Sequence, residues 1–478
     1  MSLTSALTNA ASGLSASARA VQVASSNVAN ALTEGYAARQ IDLTSSTLGG
    51  VGSGVRVAGV TRLVDPALLS ATRLSQGQAQ AGSTDARFWQ SVEALIGQPG
   101  QGVSAALSAL ENALISSTER PDLDNRLQSV ADAATGLAQT LGTVETGIQA
   151  LRAEADAAIS RDVQALNSGL SRVDDLNARI VALNAAGQST LGLQDERQAV
   201  VSSLSEIVPL REFARPDGRV TLYSGAGRLL LDINPQEIGF APANAMDASL
   251  SSASGLSGLT IGGIDAQTGP GGPLAGGRLA ANFALRDTQG PEVQSRLDAL
   301  AADLVGRFAA PATDPTLTAS QPGLFTDAGT ALAAAPAPGL AGRIAVNPLV
   351  LPDQGGALWR LRDGLGAAAP GPVGDATGIR NLVGALDRSL SAGPGSPSQS
   401  FAQNLANTST YVSRLRQGAE DSATQSASHL SELTQQSLAQ GVDTDAEMQR
   451  LLSIERAYAA NARVIQTADT MLQRLLEI

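Results

Sequence analysis

The chain has 478 residues, a net charge of −12 and an isoelectric point near 4.7, and arginine is its only strongly basic side chain. The arginines are scattered singly, so the clustered cations that bind phosphate are missing, which excludes nucleic acid and an anionic membrane surface as partners. The absence of cysteine excludes disulfides, thiolate metal sites and cysteine nucleophiles. Hydrophobic residues make up 43% but aromatics only 3%, a composition suited to helices packed through Ala, Ser and Gly rather than to an aromatic-lined pocket. Length suggests about three domains.

The first thirty residues carry a heptad. Leu7, Leu14, Val21 and Val28 are spaced by seven, with Leu3, Ala10, Ser17, Ala24 and Ala31 between them. The stripe is thin, so the helix needs a partner. Asn27, Asn30, Thr33, Gly35 and Tyr36 follow; Asn30 can end the helix, Gly35 allows a turn and Tyr36 can anchor the exit. Arg39, Ile41 and Leu43 then alternate with polar residues, and 54–60 alternates again, giving two short strands.

Helices are expected over 65–74, 85–96 and 103–115. Pro121 then opens the longest one. Leu137, Leu141, Val144, Ile148, Leu151 and Ala155 step by four and three, take an extra step of four through Ile159 and Val163, and resume at Leu166, Leu170 and Val173. A short helix over 193–208 leads into alternating strands, with Pro216-Asp217-Gly218 and Gly225-Ala226-Gly227 as turns. Another short hairpin is expected at 258–266. Helix resumes at Pro291, residues 309–400 read as loop with one strand near 344–346, and a polar helix runs from Phe401 to about Gln440.

The final helix has a wide apolar face. Leu451, Tyr458, Ile465 and Leu472 form one stripe, and Ile454, Asn461, Ala468 and Leu475 a second. Asn461 at a seam position would fix register. Thr444 and Glu447 read as a capping box, with Asp443 and Asp445 favouring the helix start. The expected fold is mainly α with inserted β: a long helical coiled coil or bundle built from both chain ends, plus a small antiparallel β domain in the middle.

Catalytic patterns are missing. His429 lies on a polar helix beside no acid or nucleophile pattern. The stretch 443–447 lacks the glycine and final acid of a calcium loop, since Met448 and Ile454 occupy those places. The glycines of 49–55 precede a strand and lack Gly-Lys-Ser/Thr, so they are no phosphate cradle. Asp195, Glu196 and Arg197 sit near a helix start, where acids suit the dipole; a hydrolase's second acid could come from anywhere in the chain, but few aromatics remain to line a sugar cleft. No apolar run reaches the ~20 residues that span a bilayer, and the N-terminus reads as no cleaved secretory signal.

Two terminal motifs carry a resemblance. "NVANALTEGY" resembles the Asn-x-Ala-Asn-x-x-Thr-x-Gly-Tyr signature of bacterial flagellar rod and hook proteins, through Asn27, Ala29, Asn30, Thr33, Gly35 and Tyr36, with Arg39 just beyond. "ERAYAANARVIQTADTMLQRLLEI" is similar to their C-terminal signature. The segments "GSGVRVAGVTRLVDPALLSATR", "SVEALIGQPGQGVSAALSALENAL", "LGLQDERQAVVSSLSEIV" and "GGPLAGGRLAANFALRD" resemble the hook-associated protein 1 family, the hook–filament junction proteins. Leu32, Glu34 and the doubled Ala37-Ala38 depart from the signature and mark where its turn should differ.

The resemblance implies a structural, non-enzymatic component of the extracellular flagellum, without cofactor or metal, exported through the flagellar type III channel with no cleaved signal. Residues 1–60 and 441–478 would be a terminal assembly region, disordered as a monomer and a coiled coil on assembly. Residues 61–204 and 276–440 would be a helical rod domain, and 205–275 a small outer β domain. Leu7, Leu14, Val21 and Val28 would pack against Leu451, Ile454, Tyr458, Asn461, Ile465, Ala468, Leu472 and Leu475 and against neighbouring subunits. Implied partners are further copies of the chain, the hook protein, the second junction protein with the filament, and a cytoplasmic export chaperone on the C-terminal helix. The competing readings are a hook or distal rod protein, a monomeric helical bundle, and a secreted hydrolase with axial-type ends.

Overall fold

The computed structural model describes residues 3–476 apart from 34, 49–50, 99, 319 and 392–397. It divides into two compact units: Met1–Gln78, Ala165–Gln236 and Ser426–Ile478 in the first, Ala79–Gln164 and Glu237–Gln425 in the second. The divisions fall inside helices α2 (Pro66–Ile96), α4 (Asp124–Ala185) and α11 (Phe401–Ala439); α1 (Leu3–Ala29) precedes α2, and α3 (Gly102–Glu119) lies between α2 and α4.

In the first unit, α1 leads to a hairpin of β1 (Arg39–Leu48) and β2 (Val51–Arg62), which packs on α1. Gly54 makes this contact possible: its φ is +100°, and a Cβ there would meet Ser12 Oγ at 2.0 Å. Ser12 Oγ instead accepts from Val55 N at 3.1 Å. Helix α5 (Leu191–Ile207) and the antiparallel sheet β3 (Leu210–Ala214), β4 (Val220–Ser224), β5 (Leu229–Leu231) complete this part. Asn177 of α4 pins the sheet, accepting from Val220 N and donating to Val220 O, while Arg197 of α5 donates to Asn177 Oδ1 and Gly218 O. The two helices expected over 65–74 and 85–96 are one, since α2 runs unbroken. At Gly77 a Cβ would meet Pro209 at 2.7 Å, so the missing side chain serves close packing rather than a turn.

The second unit is built on one continuous core that contains Leu127, Leu137, Leu141, Val144 and Ile148 of α4, Leu107, Leu110 and Leu114 of α3, and Leu297, Leu304 and Phe308 of α7 (Gly290–Ala309). The stepped stripe read from the sequence of α4 is buried from Leu137 through Val163, except for the half-buried Leu151. Its sheet β6 (Ile238–Gly239), β7 (Leu259–Ile261), β8 (Ile264–Ala266) turns at Gly262 and Gly263, both with positive φ, as a primed two-residue hairpin requires. Thus the strands of 205–275, read as one insert, form two three-stranded sheets, one in each unit. The physical reason is anchoring: β4 is tied to Asn177, whereas the chain after β6 is tied to a polar cluster on α4.

That cluster is made of arginines. Arg286, fully buried, lies in a single π-helical stretch (Leu285–Gln289) between α6 (Arg278–Ala284) and α7. Its Nη1 pairs with Asp156 Oδ1 at 2.6 Å, its Nε with Asp287 Oδ1 at 2.7 Å, and its Nη2 donates to Ser257 O at 2.8 Å. Arg152 donates to Arg286 O, Gln149 Oε1, Asp247 O and Leu250 O. A guanidinium supplies five donors in a rigid fork, so each arginine can tie a loop carbonyl and a helix carboxylate at once.

The segment 309–400, read as mostly loop, contains more structure than expected. Strand β9 (Phe325–Asp327) pairs with β10 (Ile344–Val346), the single-turn helices α8 (Leu340–Arg343) and α9 (Arg360–Asp363) lie before and after β10 in the chain, and α10 (Thr377–Asp387) packs on α3. The sequence hid α10 because Pro and Gly crowd both its flanks while its own apolar residues, Ile379, Leu382 and Leu386, span only three turns. Where α10 meets α3, burial pushes the Glu111 carboxyl above its ordinary 4.5, and Asp387 adds repulsion. The ionised form is therefore disfavoured by folding. Glu111→Gln should raise the melting temperature at pH 7, and the gain should disappear as pH falls below about 4.5, where the carboxyl is protonated in both states; thermal melts across that range check it.

Candidate functional site

The site lies in the first unit, where the two chain ends meet. Helix α12 (Thr444–Leu476) packs along α1. It is capped by Asp443, whose Oδ1 accepts from Asp445 N at 2.9 Å and Ala446 N at 3.0 Å. The expected Thr444–Glu447 box is therefore replaced, because Asp443 already satisfies the first free N–H groups. That frees the Glu447 carboxylate for another partner.

Its partner is Asn27. The Asn27 amide is fully buried, and all four of its hydrogen-bonding positions are used. Nδ2 donates to Glu447 Oε1 at 2.8 Å and to Arg39 O at 2.9 Å. Oδ1 accepts from Tyr36 OH at 2.8 Å and from Arg39 N at 2.9 Å. One side chain thus joins α1, the turn after it, the start of β1 and the C-terminal helix. Each unmade bond at a buried amide would cost on the order of 1–3 kcal/mol.

The rest of the motif shapes the turn that makes this possible. Asn30 Nδ2 donates to Ser26 O at 2.9 Å, covering a carbonyl at the end of α1. Thr33 N donates to Asn30 O and Tyr36 N to Thr33 O. Gly35 has φ +78° and lies so close to α5 that a Cβ would be 3.2 Å from that of Ala199. Arg39 stacks over the Tyr36 ring at 4.9 Å and pairs with Asp195 at 2.9 Å, and Arg62 pairs with the same carboxylate at 2.8 Å. Asp195, read from the sequence only as a helix-start acid, is therefore the anchor of the hairpin's base. Of the departures from the family signature, Leu32 is fully exposed, and Glu34 lies outside the described residues.

The helix seam is turned relative to the expected one. In α1 the buried residues are Ala10, Ala16, Ala20, Val23, Ala24 and Asn27. Leu7, Leu14 and Val28 are only half-buried, and Val21 is exposed. Small side chains face inward because the hairpin and α12 approach α1 closely; at Gly13 a Cβ would meet Asn461 Nδ2 at 2.6 Å. On α12, Ala468 is buried, and Leu451, Ile454, Asn461 and Ile465 are half-buried. Tyr458 and Leu472 are 48% and 40% exposed, and the Leu475 side chain lies outside the described residues. Among the described residues, no group of three or more His, Cys, Asp or Glu could hold a metal ion.

Three family models match the chain. "Flagella basal body rod protein" matches residues 7–36, "Flagellar basal body rod FlgEFG protein C-terminal" matches 434–478, and "Flagellar hook-associated protein FlgK helical domain" matches 89–314. The chain is 24% identical over 502 aligned positions to flagellar hook-associated protein 1 of Bacillus subtilis, covering 98% of this chain and 97% of that one. The chain is thus similar to the flagellar hook-associated protein 1 family over nearly its whole length. It is thereby related to structural proteins of the bacterial flagellum. The protein of the same name from Salmonella typhimurium is 25% identical over 236 positions, 48% of this chain and 43% of its own length. The solved flagellar hook junction protein FlgK from Burkholderia pseudomallei aligns over 54% of this chain and 46% of its own, at 19% identity and a TM-score of 0.44. The two terminal family matches include the partners of the Asn27–Glu447 hydrogen bond.

Sequence reading found Asn27 as a motif residue but missed it as a buried hub. The available signal was an amide set within an otherwise small and aliphatic helix face. Asn27→Ala should leave Arg39 N, Tyr36 OH and Glu447 without their partner and destabilise the terminal region by about 2–4 kcal/mol. Hydrogen exchange should then speed up across β1, β2 and α12 and stay unchanged in α3 and the 127–163 part of α4.

Proposed function

We propose that this chain is a subunit of the junction between the flagellar hook and filament, and that copies assemble through the outer faces of α1 and α12. The reading stands on one observation: the two terminal helices pair with each other and still leave apolar residues uncovered. On α12 these are Leu452, Tyr458, Val464, Met471 and Leu472, and on α1 Val21, beside the half-buried Leu7, Leu14 and Val28. Exposed large apolar side chains gathered on paired helices are the kind of surface that marks an interaction site. A second copy supplies the same heptad-spaced faces, so covering it in a closed or helical array uses one contact repeatedly.

On this reading the chain works outside the cell as scaffolding, without catalysis or cofactor. It reaches that place through the flagellar export channel without a cleaved signal. The hook protein lies on one side, and the second junction protein and filament on the other. Before export, the exposed face of α12 is the surface that a cytoplasmic chaperone would cover. Residues 1–60 and 441–478 act as the assembly region, and the outward β segments do not take part in the seam.

Deleting the gene should leave cells with bare hooks and filament subunit lost to the medium, seen by electron microscopy and immunoblotting. Missing hooks would instead assign the chain to the hook or rod. Tyr458→Asp, at an exposed position, should leave the melting of the purified chain unchanged and abolish filament attachment; a motile Tyr458→Asp strain removes that face from the interface.

A further inference from the structure

We infer that α1 and α12 are held in one antiparallel register by two contacts set two heptads apart, the hydrogen bond of Asn27 to Glu447 and the close seating of the Asn461 amide on Gly13, and that these four are positioning residues. Fourteen residues separate Gly13 from Asn27, and fourteen separate Glu447 from Asn461, so the numbers of each pair sum to 474. The rise of the two helices between the contacts is about 21 Å. Each contact therefore falls at the same heptad position on its own helix.

Register needs such a device here. The inward face of α1 is mostly alanine, and one alanine is much like another under a sliding partner. Slipping α12 by one heptad sets either Glu447 or Asn461 opposite Ala20, which is buried and offers no donor. The Glu447 side chain is 12% exposed in the observed register, so a slip would remove its hydrogen bond from Asn27 and leave the carboxylate only the looser 3.8 Å pairing with Arg450 of its own helix. Asn461 fits only where α1 has no Cβ: the 2.6 Å separation at Gly13 leaves no room for one. A single polar residue at a seam position is known to select register at some cost in stability. Two of them, on opposite ends of the same two heptads, exclude a shift in either direction.

The chain has no cysteine, so cross-linking can read the register directly. Ser17→Cys with Ala457→Cys reports the observed register, because those numbers also sum to 474. Ser17→Cys with Val464→Cys or with Arg450→Cys reports a slip of one heptad either way. The full chain is oxidised at high dilution and intrachain disulfides are counted by mass spectrometry. The Ser17–Ala457 pair should dominate at least tenfold. Adding Glu447→Ala and Asn461→Ala should raise the slipped-to-registered ratio at least fivefold, while Glu447→Gln, which keeps the acceptor oxygen, should leave it unchanged. An unchanged ratio in the double-alanine chain overturns the inference. So does the loss of every cross-link in that chain, which would make the contacts a source of docking energy instead of register. Equal yields from all three cysteine pairs with the polar residues intact would overturn it as well. The measurement uses a dilute single chain, so it stands or falls separately from the role at the junction.

Discussion

The buried amide of Asn27 is the contact on which the terminal region depends. An amide has two donors and two acceptor positions, and burial makes each one costly to leave unmade. Here the four are met by three separate pieces of chain: the turn, the first strand and the last helix. None of these pieces can move without orphaning a buried group. The amide thereby converts a weak, alanine-rich helix face into a defined junction of chain ends. Apolar burial alone would not do this, since it is non-directional and the residues concerned are small.

Close packing is the second constraint. With so few aromatics, the chain fills space by bringing backbones together. Glycine serves that purpose at Gly13, Gly54 and Gly77, where a Cβ would fall within 3 Å of a neighbour. Only Gly54 among these also has positive φ. The others lie inside helices, where glycine ordinarily costs about 1 kcal/mol relative to alanine. Contact with the partner element offsets that cost.

The third constraint is how loops are held without disulfides. In the second unit, buried arginines take this role: Arg152 and Arg286 bind backbone carbonyls of the 247–257 stretch and carboxylates or amides of helices in one fork. Lysine, with a compact point charge and no planar fork, could not replace them. A chain whose basic residues are all arginine is consistent with this use.

The sequence by itself determined the periodic elements. Heptads placed α1 and α12, the stepped stripe of α4 proved to be its buried face, and the glycine turns placed the hairpins. Those features follow from local repetition, which needs no knowledge of the partner. The sequence also carried the family, through motifs at both ends. Only the tertiary structure decided which face of α1 turns inward, because the aliphatic stripe and the small-residue stripe are both regular and the closeness of the neighbour selects between them. It also decided that Asp443 caps α12 while Glu447 reaches Asn27, a contact between residues 420 positions apart. Pairings of that kind leave no periodic trace: each polar side chain is locally compatible with capping or solvent, and its partner is fixed only when the two chain ends meet.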